Sequence, residues 1–542
     1  MMSRSQLRRG AALLGLLILA QLANTTAQAQ IPGSGMLDSK NVHSEGNVAN
    51  LVGNSLDFFE RKLPDNSIKR YAVAATHGNG FDILDVTTPT SPVTVGRYVN
   101  DPAPAAGGPG AYYHPWVQVN PTRNIVALSL EDPGRSPDHG LSWGVEFVDI
   151  SDVTNPVQLS KIAGVSGPHT IRMIGDNHLY TTLNTHIIDY TDARNPKDLG
   201  QNAICGHEFY PDPNVPDRTY VGFCGTGPTS RKWGILDTSN PAAPKIVLEY
   251  RDPTIEYGHE VYPSPDSSFV AVADFRGGGQ TWTACPGGGI HFYDISGKYV
   301  PGASLSDPKK MGVWHAPFTG KAPVDASGTH PLVPIPNWGS CTLHSIQFQP
   351  ERPLIVAGLY TGGSWIMSPA AATAPGGDVY KPEFLGNENR GLGKTTWGNT
   401  LGHFIAEGDF VNAGQWLPFD IPAARDHYFT NGLVRGVDVL HFAGSMPKKL
   451  SRLTVSASAT GGTVSGVLDR YAVLTYEGWV NKPLAGETVE IRSGGTTLTA
   501  TTGADGSFSA DLGLSAGAHN VTVSWGGDDE FDSVALTRQV TT

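Results

Sequence analysis

Short apolar runs, each ended by an aspartate and followed at a fixed distance by a proline, recur along most of the chain. They read FDILDVTTPTSP (Asp85, Pro92), EFVDISDVTNP (Asp149, Pro156), HIIDYTDARNP (Asp189, Pro196), GILDTSNPAAP (Asp237, Pro244) and HFYDISGKYVP (Asp294, Pro301). In every copy the proline stands seven positions after the aspartate, although the copies are unevenly spaced. Constant internal spacing at unequal intervals marks a repeated structural unit joined by variable loops. Each run has strand length and is rich in Val, Ile, Phe and Tyr. The aspartate is expected to accept backbone N–H groups just downstream, and the proline to fix φ where the next strand begins. These aspartates are read as turn residues rather than ligands.

The third unit shows the pattern most plainly. HTIRMIG (His169 to Gly175), HLYTTL (His178 to Leu183), HIIDYT (His186 to Thr191) and PKDLG (Pro196 to Gly200) are four successive strands. Four antiparallel strands per unit, repeated, predict the blades of a β-propeller. The first blade covers Leu56 to Tyr98, and the second, fourth, fifth and sixth start near His114, His207, His259 and His344. A seventh, Gly414 to Phe442, lacks an outer strand. NVANLVG (Asn47 to Gly53), which has no Asp–Pro phrase before it, is expected to supply that strand and close the ring without a free edge. The reading is thus an all-β chain: a seven-bladed propeller over 47–443, after a loose lead-in at 30–46. Pro301 to Ser340 and Ala371 to Phe410 are long insertions carrying Trp314, His315, His330, Trp338, Trp397 and His403. After a linker at 444–451, residues 452–542 carry short alternating strands (LTVSAS, ETVEIRS, NVTVSW) and glycine turns, which predict an Ig-like β-sandwich.

Length agrees with this division, since 542 residues exceed one core. A net charge of −12 leaves no basic stripe for phosphates, which excludes nucleic acid as a partner. The first residues read as an export signal over 1–29. Arg4, Arg8 and Arg9 precede the apolar run Ala11 to Ala20, and Ala27-Gln28-Ala29 is a cleavage site. No later stretch has the length and apolarity of a transmembrane segment. The protein is therefore expected to be exported: periplasmic, secreted or at the cell surface. Cysteines in such a compartment favour disulfides. Cys205 and Cys224 are symmetric about Asn214 and Val215, which makes them facing residues of a hairpin. Cys285 and Cys341 are the remaining pair, linked by elimination, and metal ligation by thiolates is the rival reading.

The repeats resemble the LVIVD-repeat family, exported bacterial β-propellers named for the strand written here FDILDV, EFVDIS and HIIDYT. The resemblance spans Asn47 to Phe442. It extends to Gly167-Pro168-His169-Thr170, Cys205-Gly206-His207-Glu208, Cys341-Thr342-Leu343-His344 and Arg435-Gly436-Val437-Asp438-Val439. Trp365-Ile366-Met367-Ser368-Pro369 departs from it, because the aspartate is missing. The resemblance implies the propeller fold and no particular activity. The last domain resembles bacterial Ig-like domains in AGETVEI, GADGSFS and GAHNVTVSW, which implies a spacer or adhesive module.

One feature goes beyond fold. Five blades in succession open their innermost strand with histidine: His114, His169, His207, His259 and His344. Equivalent positions of a propeller lie on a ring around its axis, so these imidazoles are expected to converge at one channel mouth. His77, Glu131, Asp274 and Arg276, with Gly277 to Gly279, lie on loops opening toward the same face. Glu208 and Glu260 follow two of the histidines; strand alternation is expected to turn them away from those rings and toward a ring nitrogen of an adjacent blade. Convergent imidazoles bind Cu, Zn or Fe(II), so the pattern points to a transition-metal site of a metal-dependent enzyme, with redox chemistry first in view. Two other readings stand beside it. In one, each histidine simply fixes its blade to the next. In the other, the protein is a non-enzymatic surface scaffold that binds a small molecule or an extracellular macromolecule — a glycan, a peptide or an envelope protein. There, exposed aromatics near Trp314 and Trp397 supply the anchors.

Overall fold

Each repeat aspartate closes a turn. Thr87, Ser151, Thr191, Ser239 and Ser296 donate their backbone N–H groups to Asp85, Asp149, Asp189, Asp237 and Asp294 at 2.7–2.9 Å. The carboxylate takes the N–H two residues on, so the chain reverses into the outer strand that the proline introduces. The computed structural model describes residues 36–541, apart from 39–40, 50, 52, 77–79, 100–115, 131–143, 166–167, 226–230, 276–288, 315–341, 370–398, 407–408, 410, 423–424, 434, 445 and 458–461. His77, His114, Glu131, Arg276, Cys285, Cys341, His315, His330, Trp338 and Trp397 lie outside the described residues, as do the export signal and the glycines at 277–279.

Through these turns the strands of 36–442 group into seven antiparallel sheets among the described residues. The third sheet runs Pro168–Ile174, His178–Leu183, His186–Asp189 and Lys197–Gln201, in chain order from inside to outside. The other inner strands are Leu56–Lys62, Val117–Asn120, Gly206–Pro211, Gly258–Pro263, Ser345–Phe348 and Val411–Trp416, and successive ones pack on each other. This is a β-propeller scaffold. Its core lies between neighbouring sheets. Phe59, Val73 and Ile83 of the first sheet, for example, meet Val126, Leu128 and Val148 of the second. Among the described residues there is no helix long and apolar enough to cross a membrane.

The closing strand begins earlier than expected. Val42–Val48, not Asn47–Gly53, pairs with Gly436–Phe442 as the outer strand of the last sheet. Val42 is fully buried beside Leu440 and Phe442, so the lead-in is not loose there. Leu51 and Gly53 instead turn inward. A Cβ at Gly53 would fall 1.7 Å from the Ala75 carbonyl oxygen, so only glycine fits. Met36–Asp38 adds a fifth strand to the sixth sheet by pairing with Asn399–Ala406. The insertions are accordingly shorter than the sequence suggested. Lys309–Trp314 is the outer strand of the fifth sheet, and His403 lies in the strand Asn399–Ala406. Trp314 is buried with Leu343 and Trp365 and offers no exposed anchor.

The C-terminal domain has two sheets. Ser451–Ala457, Thr463–Arg470 and Ser507–Asp511 form one; Thr488–Ser493, Thr496–Thr501, Ala518–Trp525 and Val534–Thr541 form the other. Val464, Leu468, Ile491, Phe508 and Val523 share their core. A separate hairpin, Val473–Thr475 with Gly478–Val480, projects from this domain. In the stretch 444–451, Lys449 is buried and ion-paired to Glu351 and Glu530 at 3.0 and 2.9 Å.

Candidate functional site

The histidines owe their placement to an irregularity in the inner strands. Gly206 pairs with Phe223 and Glu208 with Gly222, which leaves His207 as the extra residue of a β-bulge. His259 is the extra residue between Gly258 and Glu260 in the same way, and the register also shifts across His169. Bulges re-aim side chains at strand ends. The fourth and fifth sheets also approach closely here. A Cβ on Gly222 would lie 2.4 Å from the His259 carbonyl oxygen, so the position admits only glycine. The disulfide Cys205–Cys224 staples the same end of the fourth sheet, with Cα atoms 5.4 Å apart.

Four imidazoles form an arc at this end of the axis. Ring centroids are 5.2 Å apart for His169 and His207, 3.9 Å for His207 and His259, and 4.7 Å for His259 and His344. All four residues are 2–8 % exposed, so the arc is interior rather than a surface patch. Tyr257, Phe275 and Tyr360 fill in around it: Tyr257 stands edge-on to His207 at 5.2 Å, Phe275 lies 4.8 Å from His259, and Tyr360 lies 4.7 Å from His344. Asp274 is fully buried and accepts the backbone N–H groups of Glu256 and Tyr257, fixing the turn that presents Tyr257. Among the described residues no three His, Cys, Asp or Glu side chains are set to hold a metal ion.

Beneath the arc lies a largely buried polar layer, of which the sequence reading singled out only Glu208 and Glu260. Arg172, Tyr210, Tyr262 and Gln347 each stand three places after a histidine of the arc. That shared register was the signal available. Arg172 donates to Gln118 Oε1 at 3.3 Å and lies 5.7 Å from the Tyr210 ring centroid, and Tyr210 and Tyr262 are 3.9 Å apart. Asp57 accepts the Val119 N–H at 2.7 Å from the neighbouring inner strand. The bulges break the simple alternation expected of Glu208 and Glu260. Glu260 accepts the Ile346 N–H of the next sheet at 2.8 Å, and Glu208 lies 3.7 Å from Arg172 Nη2.

Burial governs the charge of this layer. It pushes the Asp57 carboxyl up to about 6, although Val119 and Phe58 N–H groups pull the other way. It pushes Glu208 up to about 7 against the pull of Arg172, and raises Glu260 well above its usual value, with Glu208 adding repulsion. Arg172 keeps its proton because Tyr262, Glu208 and Asp57 outweigh its own desolvation. One guanidinium therefore faces three carboxyl groups whose proton affinity burial raises.

Comparison with known proteins gives one repeat match and distant structural neighbours. An LVIVD repeat matches residues 70–100, the second strand through the outer strand of the first sheet. No curated protein matches the chain. Among solved structures, a chain of the COPII outer coat vertex on membranes is 11% identical, with 77% of this chain and 95% of that one covered and a TM-score of 0.44. The Cps50 (Swd1) β-propeller domain of Myceliophteria thermophila is 10% identical over 72% of this chain and 97% of its own, with a TM-score of 0.40. A putative 6-phosphogluconolactonase of Bacteroides fragilis is 10% identical over 58% and 80%, with a TM-score of 0.36. Likeness at this level reaches neither substrate nor partner.

Proposed function

We propose that the protein is an exported, seven-bladed β-propeller with an Ig-like C-terminal domain, and that its histidine-lined mouth takes up a transition-metal ion (Cu, Zn or Fe). The observation that carries this reading is the meeting of His169, His207, His259 and His344 in one buried arc. Neutral imidazoles gathered from four sheets suit such an ion. In the sequence His114 likewise precedes an inner strand, Val117–Asn120 of the second sheet. On this reading His114, with His77 or Glu131, is the candidate to complete a coordination shell. Use of the metal in a reaction would make the protein a metal-dependent enzyme. The test is metal content after purification and after loading with Cu(II) or Zn(II). Wild type is expected to bind close to one equivalent, and the His207→Phe/His259→Phe variant to bind little with an unchanged circular dichroism spectrum. Equal uptake by both proteins, or none by either, would sink the metal reading.

A second reading has its own observation. His207, His259 and His344 pack ring to ring with Tyr257, Phe275 and Tyr360 rather than around a shared centre. On that reading the arc is a stopper, and the protein is a surface scaffold that recognises a glycan, a peptide or an envelope partner through its loops.

A further inference from the structure

The hairpin of the C-terminal domain lies across the axis at the end opposite the histidines. Within Tyr471–Lys482 the Ala472 N–H and the Asn481 side chain both donate to Asn214 Oδ1, in the turn after the fourth inner strand. Leu474 donates to the Pro418 carbonyl, and Lys482 pairs with Asp420 at 2.6 Å, both in the turn after the seventh inner strand. Tyr476 at the tip packs under Lys62 of the first sheet, with Nζ 5.6 Å from the ring centroid. In ring order the fourth sheet faces the seventh and first across the axis. A segment of a dozen residues that touches both sides must cross the centre. Ala472 and the partly exposed Trp479 lie over Tyr210, Gln347 and Phe348 around a cleft of about 30 Å³, room for a single water.

The anchorage is charged and buried. Arg470 donates to both Glu351 oxygens at 2.6 and 2.8 Å and to Asp420 at 2.7 Å. Lys449 adds its pair to Glu351, and Phe531 lies beneath both cations. We infer that the Tyr471–Lys482 hairpin is a fixed plug: the C-terminal domain is the floor of the propeller channel rather than a detachable spacer. The polar layer around Arg172 then communicates with solvent through the histidine end. This inference does not depend on what the histidines bind.

Thiol labelling of full-length Gln347→Cys with a charged methanethiosulfonate tests it. With the plug in place the thiol is expected to react at least about 100-fold more slowly than one at exposed Thr496→Cys. Adding Arg470→Met and Trp479→Gly is expected to raise the rate at least about tenfold. His259→Gly, which widens the opposite end, is expected to raise it with the plug intact. Fast labelling of the single variant, or no response to plug removal, overturns the proposal. Wild-type hydrogen exchange gives an arm free of mutation. The Ala472 and Leu474 amides are expected to exchange as slowly as those of the inner strands, and exchange within seconds overturns a fixed plug.

Discussion

At the histidine end of the axis, the side chains come from one repeated register and touch mostly through rings. At the hairpin end they come from two domains, share no register, and touch through buried ion pairs and backbone hydrogen bonds. The first arrangement tolerates exchange of one flat ring for another; its strands are held by their own ladders and by Cys205–Cys224. The second loses most when a single charge is removed, since its partners stay largely buried with part of their counter-charge gone. A repeat can vary its mouth at little cost to the fold. It cannot easily vary the floor.

The largest effect should therefore come from the floor. Glu351 meets both Arg470 and Lys449 and is 4 % exposed. Glu351→Gln leaves two buried cations short of a counter-charge and is expected to cost about 3–5 kcal/mol in urea unfolding. A loss under 1 kcal/mol would mean that the interface is looser than its geometry. Next comes the staple at the mouth. Cys205 and Cys224 are 19 residues apart, and their replacement by serine frees unfolded-chain entropy worth about 3 kcal/mol. With Cys285 and Cys341 also replaced by serine, dithiothreitol should lower the midpoint of the protein that keeps Cys205–Cys224 by a similar amount and leave the one without it unmoved.

The contrast also explains what the sequence could and could not tell. The Asp–Pro phrase, the sheets and the nearness of His169, His207, His259 and His344 were all legible, because a repeat places equal positions at equal radius. The closing strand was misplaced by its composition. NVANLVG looks more like a strand than VHSEGNV, but an outer strand has one face in water, and the apolar Leu51 was bound for the interior. Trp314 looked like a loop residue because the turn after Asp294 is longer than its counterparts. There Asp294 also takes the Tyr299 and Val300 N–H groups. The bulges at His207 and His259 left no trace in the apolar pattern. The floor was invisible because its residues, from Asn214 to Glu351 to Arg470, meet through tertiary contact alone.

The two ends should also answer to pH in opposite senses, with effects on the order of 1–2 kcal/mol. Glu208 in the polar layer beneath the histidines is pushed up to about 7 by burial, and Asp57 to about 6. Below roughly pH 4 both folded and unfolded chains hold these protons, so nothing changes. Between there and neutrality the unfolded chain releases them while the folded chain keeps them, and stability falls as pH rises. At the floor, burial alone would raise Asp420, but hydrogen bonds from Arg470 and Lys482 hold it well below the usual range. Its contribution is present above roughly pH 4 and is lost as pH falls further. Glu208→Gln should flatten the neutral-side decline, and Asp420→Asn the acid-side one. Urea midpoints across pH 3–8 read both, and a wild-type profile with neither slope would contradict these assignments.

The smallest expected effect is the one that separates ligand from scaffold. His207→Phe keeps a flat aromatic ring, one atom larger, in contact with His169, Tyr257 and His259. Ring-for-ring exchanges of nearly equal volume in packed interiors cost about 1.5 kcal/mol or less. If the imidazole is there to meet a metal, the variant should unfold within about 1.5 kcal/mol of wild type and lose bound Cu(II) or Zn(II). If it is there to hold the fourth sheet to its neighbours through its ring nitrogens, the variant loses hydrogen bonds in a buried site, and the cost rises to about 2–3 kcal/mol with no change in metal content. The same substitution at His344, whose ring lies against Tyr360 at 30°, repeats the measurement where packing is closest to parallel. Agreement between the two positions would assign the whole arc to one role. Loss of metal at His207 but not at His344 would confine the metal to the His169–His207 side.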